Sequence, residues 1–238
     1  MNDILKKSLC DAGADTVGFA DVGDILTPEI AHLTRAVSIG VCKNLNENTV
    51  RVLADLKRIA VRILKDEGYR YLSIPADSDR IKNRFIAKLY PLFTHKIAAT
   101  SAGIGWIGRN GLLINPVHGP RLSLATVLTD APLKPDRPIS KSMCGDCRLC
   151  IEHCPSAALT GNDWSRNRPY VELVILKSCK NHKKGSRALE GKPNCGLCIS
   201  ICPYGRKHYN LKDSRNQEAK GFSDTAFSQS IESIHRET

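Results

Sequence analysis

Long apolar runs are missing from this sequence, and aromatic side chains are few. Aromatics make up 5% of the 238 residues, and only two of them are tryptophans. No stretch approaches the roughly 20 apolar residues that cross a bilayer, which argues against a membrane span. The opening MNDILKK offers neither an apolar signal core nor a cleavage site. The expectation is a soluble, cytoplasmic protein. Acidic residues are outnumbered, 24 against 35 basic ones, for a formal balance of +11. Low-complexity tracts are absent, and nothing repeats along the chain outside its cysteines. At about 100–150 residues per domain, the length suits one sizeable domain and a small one.

Cysteine is what the chain has in quantity, and its arrangement is specific. Eight of the ten cysteines form two sets. Cys144, Cys147, Cys150 and Cys154 follow the spacing C-x2-C-x2-C-x3-C, with Pro155 directly after. Cys179 stands before Cys195, Cys198 and Cys202, with Pro203 after the last. In two-cluster ferredoxin modules each run of cysteines holds one cubane, and the cysteine before the proline crosses to the other. On that pattern Cys144, Cys147, Cys150 and Cys202 would ligate one [4Fe-4S] cluster, and Cys179, Cys195, Cys198 and Cys154 the second. The prolines keep the chain from closing into continuous helix. The competing readings are zinc and disulfides. A zinc site takes four ligands, and the first set overfills C-x2-C pairs. Disulfide scaffolds belong to small secreted chains. Cys10 and Cys42 lie outside both sets and read as buried small apolar residues.

The basic residues are unevenly placed. Lys177, Lys180, Lys183, Lys184, Arg187 and Lys192 crowd the stretch 177–192 around and after Cys179, against Glu190 alone. Such a run is a solvated loop, a compensation for cluster charge, a landing site for an acidic electron donor, or a contact for RNA phosphates. No aromatics interleave it to stack bases.

The pattern ahead of the cysteines is that of a mixed α/β unit over residues 1–133. Ile4, Leu5, Leu9 and Ala12 predict one face of an opening helix, followed by strands at Thr16–Ala20 and Ala36–Val41. Val52, Leu56, Ile59, Ile63 and Leu64 recur at helical period from Thr49 to Glu67, where Gly68 supplies a stop. Tyr71–Ile74 reads as a strand, Arg80–Leu89 as a charged helix and Thr94–Ala102 as another helix. Leu112–Asn115 and Leu122–Thr129 read as two strands joined by the turn Pro116–Pro120. Pro132–Pro138 reads as a linker, residues 134–210 as the cluster module, and 211–238 as a polar tail. The fold class expected is α+β: a mixed α/β domain followed by a ferredoxin-like domain with two clusters.

Between helix and strands lies GIGWIGRNG, residues 103–111. It matches a bare G-x-G-x-x-G, but a dinucleotide site needs a strand before it and a helix after. The residues read instead as a tight loop that lets backbone come close to something large and flat or to another backbone. Here the sequence resembles a known family. The stretch HKIAATSAGIGWIGRNGLLINPVHGPRLSLATVLTDAPLKPDRPI, then CGDCRLCIEHCPSAAL and NCGLCISICPYG, is similar to epoxyqueuosine reductases and corrinoid-dependent reductive dehalogenases over about residues 93–204.

The resemblance implies a corrinoid bound over the α/β unit and reduced by a nearby cluster. In epoxyqueuosine reductases that pairing removes an epoxide oxygen from a modified tRNA base, a step of queuosine biosynthesis. In the dehalogenases it removes halide. It also implies a reduced ferredoxin or flavodoxin as electron donor, transfer RNA as a partner, and corrinoid contacts at Asn115, Arg121, Ala125 and Asn181. The reductases carry an aspartate acid in a D-T-G-P-x-x-E stretch. Counting back from Gly103 puts Leu89 at its place, with Tyr90, Pro91 and His95 in the same window. The acid is missing, which leaves Tyr90 and His95 as candidate proton donors. Arg109 is a further candidate for polar groups of a corrinoid. His153 and His182 flank cluster cysteines, and Trp106 reads as a packing residue that could lie against a macrocycle.

Overall fold

The computed structural model describes residues 1–42, 49–75, 94–166, 173–190 and 195–205. A four-stranded sheet runs in the order β1 (Thr16–Asp21), β2 (Arg35–Cys42), β6 (Leu122–Thr129), β3 (Tyr71–Ser73). Every pairing in it is antiparallel. Strand β2 alternates large and small residues, and the alternation sorts the two faces. Val37, Ile39 and Val41 face α1 (Asn2–Asp11) and α2 (Thr49–Asp66), joining Leu5, Leu9, Leu56, Ala60 and Leu64 in one core. Ala36, Ser38 and Gly40 turn to the opposite face. There α3 (His95–Ser101) brings Ala98 and Ala99 against the sheet. Small residues meet small residues, so the helix sits close: a Cβ added to Gly18 would stand 2.7 Å from the Ala102 carbonyl oxygen.

Close seating of α3 fixes where the glycine-rich turn begins. Its residues are not all loop: β4 (Trp106–Ile107) pairs antiparallel with β5 (Leu113–Ile114) as a second, two-stranded sheet. Gly105 passes so near the Ile114 carbonyl that no side chain fits. This corrects the expected hairpin, because β5 and β6 belong to different sheets. The turn between them is instead closed on itself. Asn115 and Gly119 exchange both backbone hydrogen bonds, and Asn115 Oδ1 accepts from the N–H groups of Val117 and His118. The first helix also needs correction. Leu5 and Leu9 take its buried face, while Ile4 is 54% exposed, Cys10 faces solvent rather than the core, and Ala12 lies in solvent beyond the helix end; Cys42 is only half-buried.

The proline-bearing stretch after β6 is tied down. Asp136 accepts from the Phe19 N–H and donates its own N–H to the Phe19 carbonyl, both at 2.8 Å. Ile139 donates to the Thr100 carbonyl. Trp164, Leu173, Val174 and Cys202 join the core on the α3 side, so apolar packing continues from the sheet into the cysteine-rich segment. That segment carries α4 (Leu149–Glu152), α5 (Leu176–Glu190) and α6 (Leu197–Ser200). The expected helix at Arg80–Leu89 and the tail after residue 205 lie outside the described residues.

Candidate metal centre

The two cysteine runs fold alike. Each carries the tripeptide Leu-Cys-Ile into a single helical turn, α4 or α6, and these two turns pack together. The third cysteine of each run therefore sits inside its turn, and the fourth leaves at its end towards the neighbouring run. Burial pushes the Cys150 thiol up to about 12, and negative charge on Cys144, Cys147 and Cys202, with a smaller share from Cys198, adds to the rise. The Cys198 thiol is raised by burial first, then by Cys179, Cys195 and Cys154, while Lys183 opposes it. Cys202 is raised by burial and by Cys144 and Cys147, against the Tyr204 N–H and Arg121. Cys202 thus acts on the first run at Cys150, and Cys154 on the second at Cys198.

Cys154 differs from the others. Burial raises its thiol, but donors from Ala158, Ser156 and Leu159 outweigh that and lower it overall. The Ala158 N–H lies 3.4 Å from its Sγ. Peptide N–H groups aimed at sulfur favour the thiolate that a metal needs. Among the described residues, no three His, Cys, Asp or Glu side chains converge tightly enough for a single metal ion. Thiols that act on one another electrostatically in sets of this kind suit a cubane carrying its own sulfides. The donor set fits an iron–sulfur cluster in each quartet.

The glycine-rich turn docks both quartets. Arg109 is buried, donates to the Cys147 carbonyl at 2.7 Å, and holds Asp163 with its other guanidinium nitrogens at 3.0 Å. Asn110 donates to the Cys198 carbonyl at 3.0 Å and accepts from the Leu112 N–H. One residue grips the first run, the next grips the second. Trp106 donates its indole N–H towards Cys144 Sγ at 3.5 Å. Its ring meets that of Tyr204 edge-on, with centroids 4.9 Å apart. Asn110 and Tyr204 escaped the sequence reading. Asparagine beside glycine signals a turn, and nothing local says that its amide serves a carbonyl far along the chain.

The other expected site residues are dispersed. Tyr90 lies outside the described residues. His95 is 9% exposed, with Nδ1 2.9 Å from Thr126 Oγ1 and Nε2 3.2 Å from the Pro75 carbonyl. A carbonyl only accepts, so Nε2 carries a hydrogen and donates it to Pro75, while Nδ1 pairs with the Thr126 hydroxyl. The imidazole braces α3 against β6 and the chain leaving β3. Asn115 spends its amide inside the turn, donating also to the Ile104 carbonyl. Ala125 packs into the core under α1 and α2. Arg121 stands close enough to the first quartet to act on Cys202. Asn181 is exposed on α5. Of the four expected corrinoid contacts, Asn115 and Ala125 are engaged in internal contacts and Arg121 acts on a cluster cysteine. His153 bonds the Leu149 carbonyl from the end of its own helical turn.

Comparison with known proteins agrees with this geometry. Residues 143–205 match the 4Fe-4S double cluster binding domain. The epoxyqueuosine reductase of Listeria monocytogenes is 36% identical over 113 residues, covering 46% of this chain and 29% of that protein. That of Leadbetterella byssophila is 34% identical over 134 residues, covering 54% of this chain and 44% of that protein. The chain spans less than half the length of these curated relatives. Among solved structures, an epoxyqueuosine reductase with an epoxyqueuosine-modified tRNA stem loop superposes with a TM-score of 0.62 at 17% identity, over 86% of this chain and 65% of that one. A catabolic reductive dehalogenase in complex with 3-bromo-4-hydroxybenzoic acid gives 0.59 at 21% identity, over 82% of this chain and 30% of that one. The resemblance to both groups is real: in sequence and fold for the reductases, in fold for the dehalogenases. No helix among the described residues is long and apolar enough to cross a membrane.

Proposed function

We propose that this epoxyqueuosine reductase-like iron–sulfur protein is an oxidoreductase that delivers low-potential electrons through two [4Fe-4S] clusters to a reducing site at one end of its sheet. The observation that carries the reading is the pair of like-folded cysteine runs, matched to a 4Fe-4S double cluster domain and gripped by Arg109 and Asn110. Strand β2 ends and β6 begins at the same end of the sheet, where Cys42 pairs with Leu122, and β3 runs towards that end from Thr129 to Val127 of β6. The turn 116–120 leads into that end, and Gly119 touches the segment just after Cys202. Electrons held at the first quartet are therefore next to the sheet end where a substrate would be received.

The finer form of the reading takes a corrinoid as the acceptor, which when bound would supply a strongly reducing metal centre. It rests on the likeness in fold to the reductases and dehalogenases. The substrate in that form is an epoxyqueuosine-type base in transfer RNA, and the donor is a reduced ferredoxin or flavodoxin. Removing an epoxide oxygen as water takes two electrons and two protons, so the chain must also hold a proton donor. Tyr90 and His95 are the two residues in the window of the missing aspartate. The bonds from His95 to Thr126 and Pro75 favour Tyr90.

A second reading is an electron carrier without corrinoid chemistry of its own. The internal use of Asn115 and the burial of Ala125 favour it. Metal analysis of protein purified without oxygen, followed by titration with cobalamin in visible absorption, separates the two. About eight irons with saturable corrinoid binding support the enzyme. The same iron without corrinoid affinity leaves the carrier, and zinc in place of iron removes both.

A further inference from the structure

We propose that the indole N–H of Trp106 raises the reduction potential of the cluster held by Cys144, Cys147, Cys150 and Cys202, acting through its hydrogen bond to Cys144 Sγ. This rests on the iron–sulfur reading above and goes beyond it in naming a residue that tunes one cluster and not the other.

Trp106 is 1% exposed, so its N–H has no water to turn to and must find an acceptor inside the fold. The acceptor is Cys144 Sγ at 3.5 Å. Two features hold the indole in place. Its backbone is fixed in β4, opposite Ile114 in β5. Its ring lies against Tyr204 at an interplanar angle of 82°, and the Tyr204 hydroxyl donates to the Met143 carbonyl at 2.9 Å, immediately before Cys144. Tyr204, two residues after Cys202, and Met143, just before Cys144, are thereby tied together beside one side chain of the glycine-rich turn. A packing residue alone would not need its polar edge aimed at a ligand sulfur.

The electrostatic consequence has a definite sign. Reduction adds one electron to the cluster, and part of the added charge resides on the ligand sulfurs. A donor to such a sulfur is worth more in the reduced state than in the oxidised one, so it raises the potential. Cys154, which belongs to the other quartet, receives its donors from peptide groups near Ala158 and is untouched by Trp106.

The test is a redox titration of the iron-loaded protein followed by electron paramagnetic resonance. Trp106→Phe keeps a ring in the core and removes the N–H. One of the two cluster potentials is expected to fall while the other stays, at unchanged iron content. The reduced cluster should also lose a proton coupling that exchanges in deuterium oxide. Unchanged potentials at full iron content, or an equal fall of both, overturn the proposal. If the variant loses iron, benzothienylalanine placed at position 106 preserves the bicyclic shape with sulfur in place of the N–H. The same selective fall is then expected, and an unmoved potential is again fatal. Wild-type protein that takes up no iron would instead overturn the cluster assignment itself.

Discussion

Gly119 and Gly205 pass each other at van der Waals range with no space for a side chain on either. A Cβ on Gly205 would stand 2.6 Å from the Gly119 nitrogen, and one on Gly119 would strike the Tyr204 carbonyl oxygen. Both residues have positive φ, 59° and 81°, which adds strain to any replacement. The turn before β6 and the segment after Cys202 are thus fitted backbone to backbone.

Gly119→Ala is accordingly expected to separate the sheet end from the first quartet. The variant should lose the cluster that includes Cys202 while keeping the other, so iron per chain falls by about half. Gly13→Ala, also at positive φ but with open space around it, is the control for strain alone. Equal iron in Gly119→Ala and wild type would show that this contact does not govern loading.

Arg109 is the residue of the turn whose replacement should cost most. Its guanidinium joins the Cys147 carbonyl to the Asp163 carboxylate in one planar fork, which lysine cannot reproduce. Arg109→Lys should lower stability by about 1–3 kcal/mol, the range for charged hydrogen bonds lost on one side of a pair. Partial exposure of Asp163 puts the value at the lower end. Denaturant titration of the iron-loaded protein measures it. Asp163→Asn, which keeps the shape and weakens only the ion pair, should cost less.

His95 separates a structural role from a catalytic one. His95→Phe keeps the ring volume and removes the bonds to Thr126 and Pro75. If the imidazole is a brace, unfolding free energy drops by about 1–3 kcal/mol, and His95→Gln recovers part of it. Reducing activity per folded, iron-loaded molecule then stays close to wild type. Normal stability with lost turnover would identify His95 as the proton donor instead.

How far the sequence foretells these contacts depends on their range. Strand β2 and helix α2 are legible because Val37, Ile39 and Val41 alternate and Leu56 and Leu64 recur at helical spacing, both local signals. The double-cluster module is legible because ligand spacing is set by the cluster rather than by the rest of the fold. Ile4 misleads because the apolar face of α1 needs only Leu5 and Leu9 to fill its contact with the sheet and α2. Strand β4 is hidden, since two residues between glycines carry no period and their partner is chosen by tertiary packing. Asn110 and Tyr204 bond groups 88 and 61 residues away, and no window along the chain contains both ends of either bond.

The lysines of α5 give a last prediction, on how electrons enter. Lys177, Lys180, Lys183 and Lys184 are exposed on the helix that carries Cys179, and Lys183 stands close enough to the second quartet to act on Cys198. Positive charge around a cluster that lies near the surface attracts an acidic redox protein and orients it for electron transfer, so its effect is on association rate and on salt dependence. Replacing Lys180, Lys183 and Lys184 together with glutamate should slow reduction by a ferredoxin or flavodoxin about tenfold at low salt. Reduction by a neutral small-molecule donor, which needs no docking, should change far less. The rate with wild-type protein should fall as salt rises, and the triple variant should lose that dependence. A tRNA contact at the same helix would appear differently, as weakened RNA binding with the reduction rate intact. Stopped-flow measurement of cluster bleaching against ionic strength, alongside RNA affinity over the same range, decides which partner this face receives.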